Sequence, residues 1–309
     1  MKIVFMGTPD FAVPCLTEII ENGHEVVAVV TQPDRPKGRG KKLTPPPVKI
    51  KAMEYNIDVL QPEKIKEESA VKEIEKLAPD CIVVVAFGQI LPKRVLDIPP
   101  LGCINVHASL LPKYRGAAPI NWAIINGEKV SGVTTMYMEE GLDTGDMILK
   151  AEVSIDEKTA GELHDELSLE GAKLLGKTLK LIEENKAPRE KQEDAKSSYA
   201  SMMDRNTGKI DWKNTAQSIC NLIRGVNPWP TAVTTYKENK FKIWKAKVIH
   251  ENASDTPGKI IKVNKEGMFV CTGEGILVLE EIQFPNSKRM SVDAYLRGHD
   301  IENNVILGE

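Results

Sequence analysis

The stretch "KIVFMGTPDFAVPCLTEIIENGHEVVAVVT", Lys2 to Thr31, decides how the rest of the chain is read. Its two ends, KIVFM and EVVAVVT, are short continuous apolar runs rich in β-branched residues. Such runs belong to strands covered on both faces, because neither face alternates with solvent. Between them Gly7-Thr8-Pro9 closes the first run, and DFAVPCLTEIIENGH reads as a helix ending at Gly23. Strand, helix, strand is the repeating unit of a parallel sheet.

The theme recurs downstream. DCIVVVAFG and GCINVH are further buried runs, the first preceded by the helical ESAVKEIEKLAP, and VTTMYME and MILKAEVSI are two more strands joined by EGLDTGD. The expected fold class is therefore α/β, with a Rossmann-like, mostly parallel sheet. A long helix follows, opening at a capping box of Thr159 with Glu162 and carrying Leu163, Leu167, Leu174 and Ile182 on one face. ENKAPREKQEDAKSSYA then has almost no apolar residues and reads as a linker. Beyond it come a short amphipathic helix, NTAQSICNLIRG, and five short strands, TAVTTY, FKIWKAKVI, GKIIKV, MFVCTG and ILVLEEIQF. Strands at that spacing predict a small antiparallel, OB-like β-barrel. The expected division is a catalytic domain over 1–187, a linker over 188–208 and a C-terminal barrel over 209–309.

Composition bounds the class. At 309 residues, 41% hydrophobic and 28% charged, the chain exceeds one ordinary core and is built to fold. Five scattered cysteines without CxxC spacing suit reduced, buried thiols better than disulfides or zinc. No run approaches a membrane span or a signal peptide, so a cytoplasmic protein without membrane attachment is expected. The net charge of −3 is uneven, since the residues from Arg205 onward are net basic and those before it net acidic.

The first βα turn excludes two common ligands. GTPDFA has one glycine where a dinucleotide fingerprint needs three, and no GxxxxGK[ST] run is present, so neither NAD nor a nucleoside triphosphate has a cradle. Metal is not expected either, because the five histidines never cluster with a second ligand at usable spacing.

Attention falls instead on NVHASLLPKYRGAAP, Asn105 to Pro119. Ligands of open parallel sheets sit at the carboxyl ends of strands, where Gly88, Asn105 and His107 all fall. Positions i and i+2 of a strand share a face, so the Asn105 amide and the His107 imidazole can meet one ligand. An amide donor beside an imidazole suits a developing oxyanion. An isolated Asn and His can also cap a turn and fill a hydrogen-bonded niche. Ser109, Leu110, Leu111 and Pro112 offer an apolar wall with free backbone groups. In GLDTGD, glycines flank Asp143 on a tight turn from which its carboxylate can reach the imidazole, or simply stabilise the turn. Asp146 is the lesser candidate.

NVHASLLPKYRGAAP with GLDTGD resembles the formyltransferases that use 10-formyltetrahydrofolate, whose shared site is an Asn, a His and an Asp. GTPDFAVPCL, TQPDRPKGRGKKLTPPPVK, AFGQILP, KIDW, NPWP and KIWKA extend the likeness over nearly the whole chain. They point to the branch of that family whose acceptor is the amino group of methionyl initiator tRNA. The resemblance implies that Asn105 and His107 stabilise a tetrahedral oxyanion and that Asp143 orients the imidazole and helps move protons. It implies a folate along Phe87, Gly88, Gln89, Ile90 and Leu91, closed over by Ser109 to Pro112. The catalytic trio specifies the reaction class; the acceptor is specified elsewhere.

Two basic segments are the candidates for that acceptor. DRPKGRGKK and its continuation hold Arg35, Lys37, Arg39, Lys41, Lys42 and Lys49 in a loop leaving the second strand, beside the same cleft. By resemblance Arg39 is the residue that reaches the acceptor end, with Lys41 and Lys42 beside it. In the barrel, Lys237, Lys240, Lys242, Lys245 and Lys247 surround Trp244, a face able to hold phosphates without reading bases, and Lys209 lies just before it. Such lysines also serve merely to keep a strand edge soluble. Trp229, between Pro228 and Pro230, is expected to be packed away at the domain interface. A monomer is expected.

Overall fold

The apolar runs become a seven-stranded sheet with DCIVVVAFG at its centre and KIVFM beside it. The computed structural model describes all residues except 38, 39, 41 and 252–254. In chain order the first elements are β1 (Lys2–Gly7), α1 (Val13–Glu21), β2 (Glu25–Val30), β3 (Arg35–Lys37), β4 (Lys42–Thr44), α2 (Pro47–Glu54), β5 (Val59–Leu60), α3 (Glu68–Leu77), β6 (Cys81–Val85), α4 (Lys93–Leu96) and β7 (Cys103–His107). They are followed by β8 (Arg115–Gly116), α5 (Pro119–Ile125), β9 (Val130–Tyr137), β10 (Met147–Ser154), α6 (Ala160–Glu183) and β11 (Tyr199–Ala200). The strand order is β10-β9-β7-β6-β1-β2-β5, and β5, β2, β1, β6 and β7 run parallel. Chain order reverses between β1 and β6, which is the switch point at which such sheets bind ligands. The carboxyl ends of β1, β2, β6 and β7 lie on that edge.

β9 departs from the parallel theme. It pairs antiparallel with β7, Ile104 opposite Tyr137 and His107 opposite Thr134. This sheet is one of two compact units, made of residues 1–116, 131–154 and 164–200. One core of this unit gathers Val4, Met6, Val30, Ile74, Ile82, Val84 and Phe87. The strand DCIVVVAFG is buried at every position from Cys81 to Val85, as a strand covered on both faces must be.

The second unit comprises residues 117–130, 155–163 and 201–309. Its later elements are α7 (Ala216–Gly225), β12 (Ala232–Tyr236), β13 (Asn239–Ile249), β14 (Ile260–Asn264), β15 (Gly267–Cys271), β16 (Ile276–Gln283), β17 (Met290–Ser291) and α8 (Val292–Leu296). The five expected strands form one antiparallel sheet, ordered β12-β13-β16-β15-β14, with β17 added to β16. Among the described residues the ladders leave β12 and β14 unjoined, so the pairing path is open rather than a closed ring. Bulges in β13 and β14 increase the local twist. The core of this unit includes Trp212, Ile219, Ile223, Phe241, Ile243, Val270 and Leu277.

Two early segments join this unit for identifiable reasons. In α5, Asn121 Nδ2 donates to the Gly225 carbonyl at 2.7 Å, and a Cβ on Gly225 would come within 2.5 Å of Ile125. The Arg224 guanidinium donates to the Asp156 and Lys158 carbonyls. Trp229 is not packed away as expected; it is 56% exposed, an aromatic face left to solvent.

The expected capping box is present. The Thr159 N–H and hydroxyl both donate to Glu162 Oε2 at 2.8 Å, and the Glu162 N–H donates to Thr159 Oγ1 at 3.3 Å. Those Thr159 bonds, the backbone one foremost, hold the Glu162 carboxyl below its ordinary range. A carboxyl lowered in the folded state contributes stability above its unfolded pKa and loses it as pH falls through the folded value. Thr159→Ala removes the hydroxyl but keeps the backbone bond, and is expected to cost ~1 kcal/mol, the usual worth of a helix cap. Urea titrations should show the deficit shrinking on acidification and largely absent in Thr159→Ser.

Candidate functional site

Asn105 and His107 project from the same face of β7, as their spacing requires. Because β9 is antiparallel to β7, the loop leaving Tyr137 bends back along β7 to bring Asp143 against both. Asn105 Nδ2 donates to Asp143 Oδ1 at 3.4 Å, and His107 Nδ1 stands 3.7 Å from Asp143 Oδ2. The Gly116 N–H donates to that same Oδ2 at 2.8 Å. Asp143 itself takes a left-handed conformation, φ 52°, which Asp tolerates better than most residues. The expected trio is thus one cluster, with the side chains of His107 and Asp143 only 7% and 14% exposed.

The imidazole is fixed by its other nitrogen. His107 Nε2 lies 2.9 Å from the Tyr114 carbonyl, which can only accept, so Nε2 carries a hydrogen. Nδ1 is left as the nitrogen that gains and loses a proton. At 3.7 Å the Asp143 carboxylate is beyond hydrogen-bond range of Nδ1, which leaves room for a reacting group. One N–H of the Asn105 amide meets Asp143; an amide has a second to offer.

The wall after β7 is held rigidly. Ser109, 1% exposed, donates from Oγ to the Lys113 carbonyl at 2.7 Å and accepts at its own carbonyl from Thr134 Oγ1 at 2.7 Å. The Leu111 N–H donates to Thr134 Oγ1 at 3.1 Å, and Leu111 packs with Met136 and Met147. Leu110 and Pro112 are half-buried. Hence Ser109 and Leu111 brace the wall from inside, while Leu110 and Pro112 retain surface for a ligand.

After β6 the picture is similar. Phe87 and Leu91 belong to the core, whereas Gly88 and Ile90 are exposed, Ile90 by 82%. Gln89 accepts from the Ile65 N–H at 2.8 Å, pinning the turn. Gly88 adopts φ +87°, with nothing closer than 3.9 Å to a Cβ built there, so the backbone is open to a flat ligand on that side. Of the five expected contacts here, Phe87, Gln89 and Leu91 shape the turn, and Gly88 and Ile90 face outward.

The basic segment is not the plain loop expected. β3 and β4 pair as an antiparallel ribbon, Arg35 opposite Thr44 and Lys37 opposite Lys42. Arg39 and Lys41 lie outside the described residues, and Lys42 is exposed. Lys49 is committed at the ribbon's root. Its Nζ donates to both Asp34 oxygens at 2.9 Å and to Gln61 Oε1 at 2.7 Å. Bonds from Gln61 first and Lys49 second hold the Asp34 carboxyl below the usual range. Gln32 Nε2 and Thr8 Oγ1 both donate to the Phe87 carbonyl, tying the same root to the turn after β6.

In the second unit, Lys209 and Lys242 are exposed. Lys242 Nζ and the Arg289 guanidinium stand 5.6 and 4.9 Å from the centre of the Trp244 ring. Lys245 and Lys247 share Glu280, at 3.1 and 3.3 Å, which cancels part of the positive stripe.

Several residues that complete the site carry no local signal. Tyr114 supplies the carbonyl for His107 and Gly116 the N–H for Asp143. Gln192, in the polar stretch before β11, donates to the Asp143 and Gly145 carbonyls at 2.7 and 2.9 Å. Arg189 stacks over Tyr137 at 3.6 Å and pairs with Asp146 at 3.8 Å. Burial, ahead of every other influence, raises the Tyr137 phenol.

An amide and an imidazole around one carboxylate, with a braced wall beside them on a Rossmann-like sheet, form an arrangement that can oppose an oxyanion and pass a proton, the two needs of acyl transfer. The chain matches the model of the formyl transferase family over residues 1–179 and that of the formyl transferase C-terminal domain over 202–300. It is 60% identical over its whole length to a methionyl-tRNA formyltransferase of Clostridioides difficile, and 57% identical to one of Alkaliphilus oremlandii, both covered completely. A sugar 3N-formyl transferase solved in the presence of dTDP and 5-N-formyl-THF shares the fold, with a TM-score of 0.69 at 23% identity over 93% of this chain and 99% of that one. The chain belongs to the formyl transferase family, in its methionyl-tRNA formyltransferase branch.

Proposed function

We propose that the chain transfers the formyl group of 10-formyltetrahydrofolate to the amino group of methionyl initiator tRNA, with Asn105, His107 and Asp143 as its catalytic residues. Full-length identity of 60% to a methionyl-tRNA formyltransferase supports the overall reaction. The single observation that carries the residue assignment is the convergence of Asn105 and His107 on Asp143. No metal ligand or covalent enzyme intermediate is needed.

The chain's own groups account for each step. As the amine nitrogen bonds to the formyl carbon, the carbonyl pair moves to oxygen, and the free Asn105 N–H and a protonated His107 Nδ1 oppose the negative charge. An α-amino group, with a reference pKa of about 8, is already partly neutral near pH 7 and needs only modest help. Asp143 takes its proton as the carbon–nitrogen bond forms, since His107 Nδ1 is already protonated. When the bond to the folate N10 breaks, Nδ1–H gives its proton to that nitrogen and the proton held by Asp143 passes to Nδ1. Charge is thus conserved across the trio.

The folate lies along the open backbone of 87–91 and the face of 109–112, meeting Gly88, Ile90, Leu110 and Pro112. The acceptor is held by Arg39, Lys41 and Lys42 of the basic segment and by Lys209, Lys242 and Lys245 of the C-terminal unit, with catalysis assigned to 1–187 and acceptor binding to 209–309. No described helix is long and apolar enough to cross a membrane. The enzyme acts as a monomer in the cytoplasm.

Labelled formyl should pass from 10-formyltetrahydrofolate to methionyl initiator tRNA, and not to free methionine or to an amino sugar nucleotide at the same concentration. Folate consumed with the label on a small amine would leave the chemistry intact and overturn the acceptor.

A further inference from the structure

We propose that the strap from Arg189 to Ala200 completes the active site, and that Gln192 and Ser198 on it are positioning residues for formyl transfer. This rests on the catalytic reading of Asn105, His107 and Asp143. The strap looks like an interdomain connection by composition, yet it binds the two loops that flank the trio from both sides.

On the Asp143 side, the Met147 and Glu190 backbones exchange hydrogen bonds at 2.8 and 2.9 Å. Gln192 Nε2 then spans the turn, donating to the carbonyls of Asp143 and Gly145. Its amide oxygen accepts from Arg115 Nε at 3.0 Å, and Arg115 Nη2 bonds Asp194 at 2.8 Å. One side chain therefore links the loop bearing Asp143 to the loop bearing Tyr114 and Gly116.

On the other side, the Tyr114 N–H donates to Ser198 Oγ at 2.9 Å and the Arg115 N–H to the Ser198 carbonyl at 2.9 Å. β11 continues this as a two-residue parallel ladder with β8. Tyr114 is held at φ 60°, a conformation a tyrosine rarely adopts unless its neighbours impose it. That conformation aims its carbonyl at His107 Nε2 and so fixes which imidazole nitrogen handles protons. Gly116 follows at φ +111°, where a Cβ would meet Ala200 O at 2.8 Å. Only glycine lets the loop lie this close to the strap while its N–H reaches Asp143.

The strap thus acts through other groups. Ser198 sets Tyr114, which sets the imidazole; Gln192 sets the backbone of Asp143, which sets the carboxylate. Neither residue touches the reacting atoms.

The test uses the full chain with Gln192→Ala, Gln192→Glu, Ser198→Ala and Ser198→Thr, assayed for formyl transfer to methionyl-tRNA across pH. Gln192→Ala should lower kcat ~10-fold, since small displacements of a catalytic group are costly. KM for folate and tRNA should stay within about twofold, because no substrate contact is removed. The pH profile of kcat should move, as the charge facing His107 Nδ1 is displaced. Gln192→Glu should be worse than alanine, setting carboxylate oxygens against two carbonyls. In an Asp143→Ala background, Gln192→Ala should add little, because its effect runs through the missing carboxylate. Ser198→Ala should lose activity that Ser198→Thr restores in part.

Wild-type kcat and pH profile in Gln192→Ala overturn the proposal, as does an undiminished loss in the Asp143→Ala background. If Gln192→Ala fails to fold, the Ser198 pair decides in the same way. Full activity in Asp143→Ala and His107→Ala would instead remove the catalytic reading on which the proposal rests.

Discussion

Asn105→Ala is expected to lower kcat for formyl transfer by ~100- to 1,000-fold, the range for removing one preorganised oxyanion donor. KM should change far less, because the lost bond forms only as the formyl oxygen acquires charge. Truncation exposes no cavity of consequence, since Asn105 is half-buried and its side-chain bond to Asp143 Oδ1 is long at 3.4 Å. Folding should therefore survive, as circular dichroism and urea unfolding would verify. His107→Ala should fall at least as far, since it removes a donor and a proton carrier together. Asn105→Asp separates donor from volume. It keeps the shape but places a second carboxylate beside Asp143, where like charges oppose the oxyanion, so it should do no better than alanine at neutral pH. Single-turnover rates with saturating folate and tRNA would measure all three. Near-wild-type turnover in Asn105→Ala would mean that the amide is only a turn brace, the alternative its spacing alone left open.

How much of this was readable before the structure follows from what each feature depends on. The parallel sheet was legible because burial on both faces forces continuous β-branched runs, and DCIVVVAFG admits few other readings. Asn105 and His107 were legible as a pair because strand periodicity is local. Asp143 was reachable because glycines mark its turn, although the backward bend of that turn depends on the antiparallel register of β9, which no local pattern encodes. The ribbon of β3 and β4 was missed because RPK and KLT are three residues each, too short for any periodicity to show. The composition of the strap misled for a physical reason: it binds through backbone groups and the polar side chains of Arg189, Gln192, Asp194 and Ser198, and so needs few apolar residues. The two compact units also interleave along the chain, because α5 seats on Gly225 through contacts about a hundred residues away in sequence. Long-range packing of that kind leaves no signature within either segment.

Gly145→Ala should cost kcat ~100-fold, the effect expected when a catalytic group shifts by about 1 Å. A Cβ at Gly145 would lie 1.9 Å from the Tyr137 carbonyl oxygen and 2.9 Å from its carbon. Both are backbone atoms at the end of β9, so no side chain can rotate to relieve the clash. The Tyr137 N–H is itself bonded to the Asp146 carbonyl at 2.9 Å, which closes the loop on itself. The loop from 138 to 146 must therefore move as a body, carrying Asp143 away from His107 and the Gly145 carbonyl away from Gln192. Gly141 provides the control within the same turn. The three atoms nearest a Cβ there all belong to the Thr144 side chain, Oγ1 at 2.0 Å, and that hydroxyl can swing away at the expense of its bond to Glu139. Gly141→Ala should accordingly reduce kcat by no more than a few-fold. Equal losses in the two variants would show that the turn is generally intolerant of alanine. A large loss at Gly145 alone locates the constraint where the Tyr137 backbone meets the loop, and makes the position of the Asp143 carboxylate, rather than its mere presence, the quantity that the turn controls.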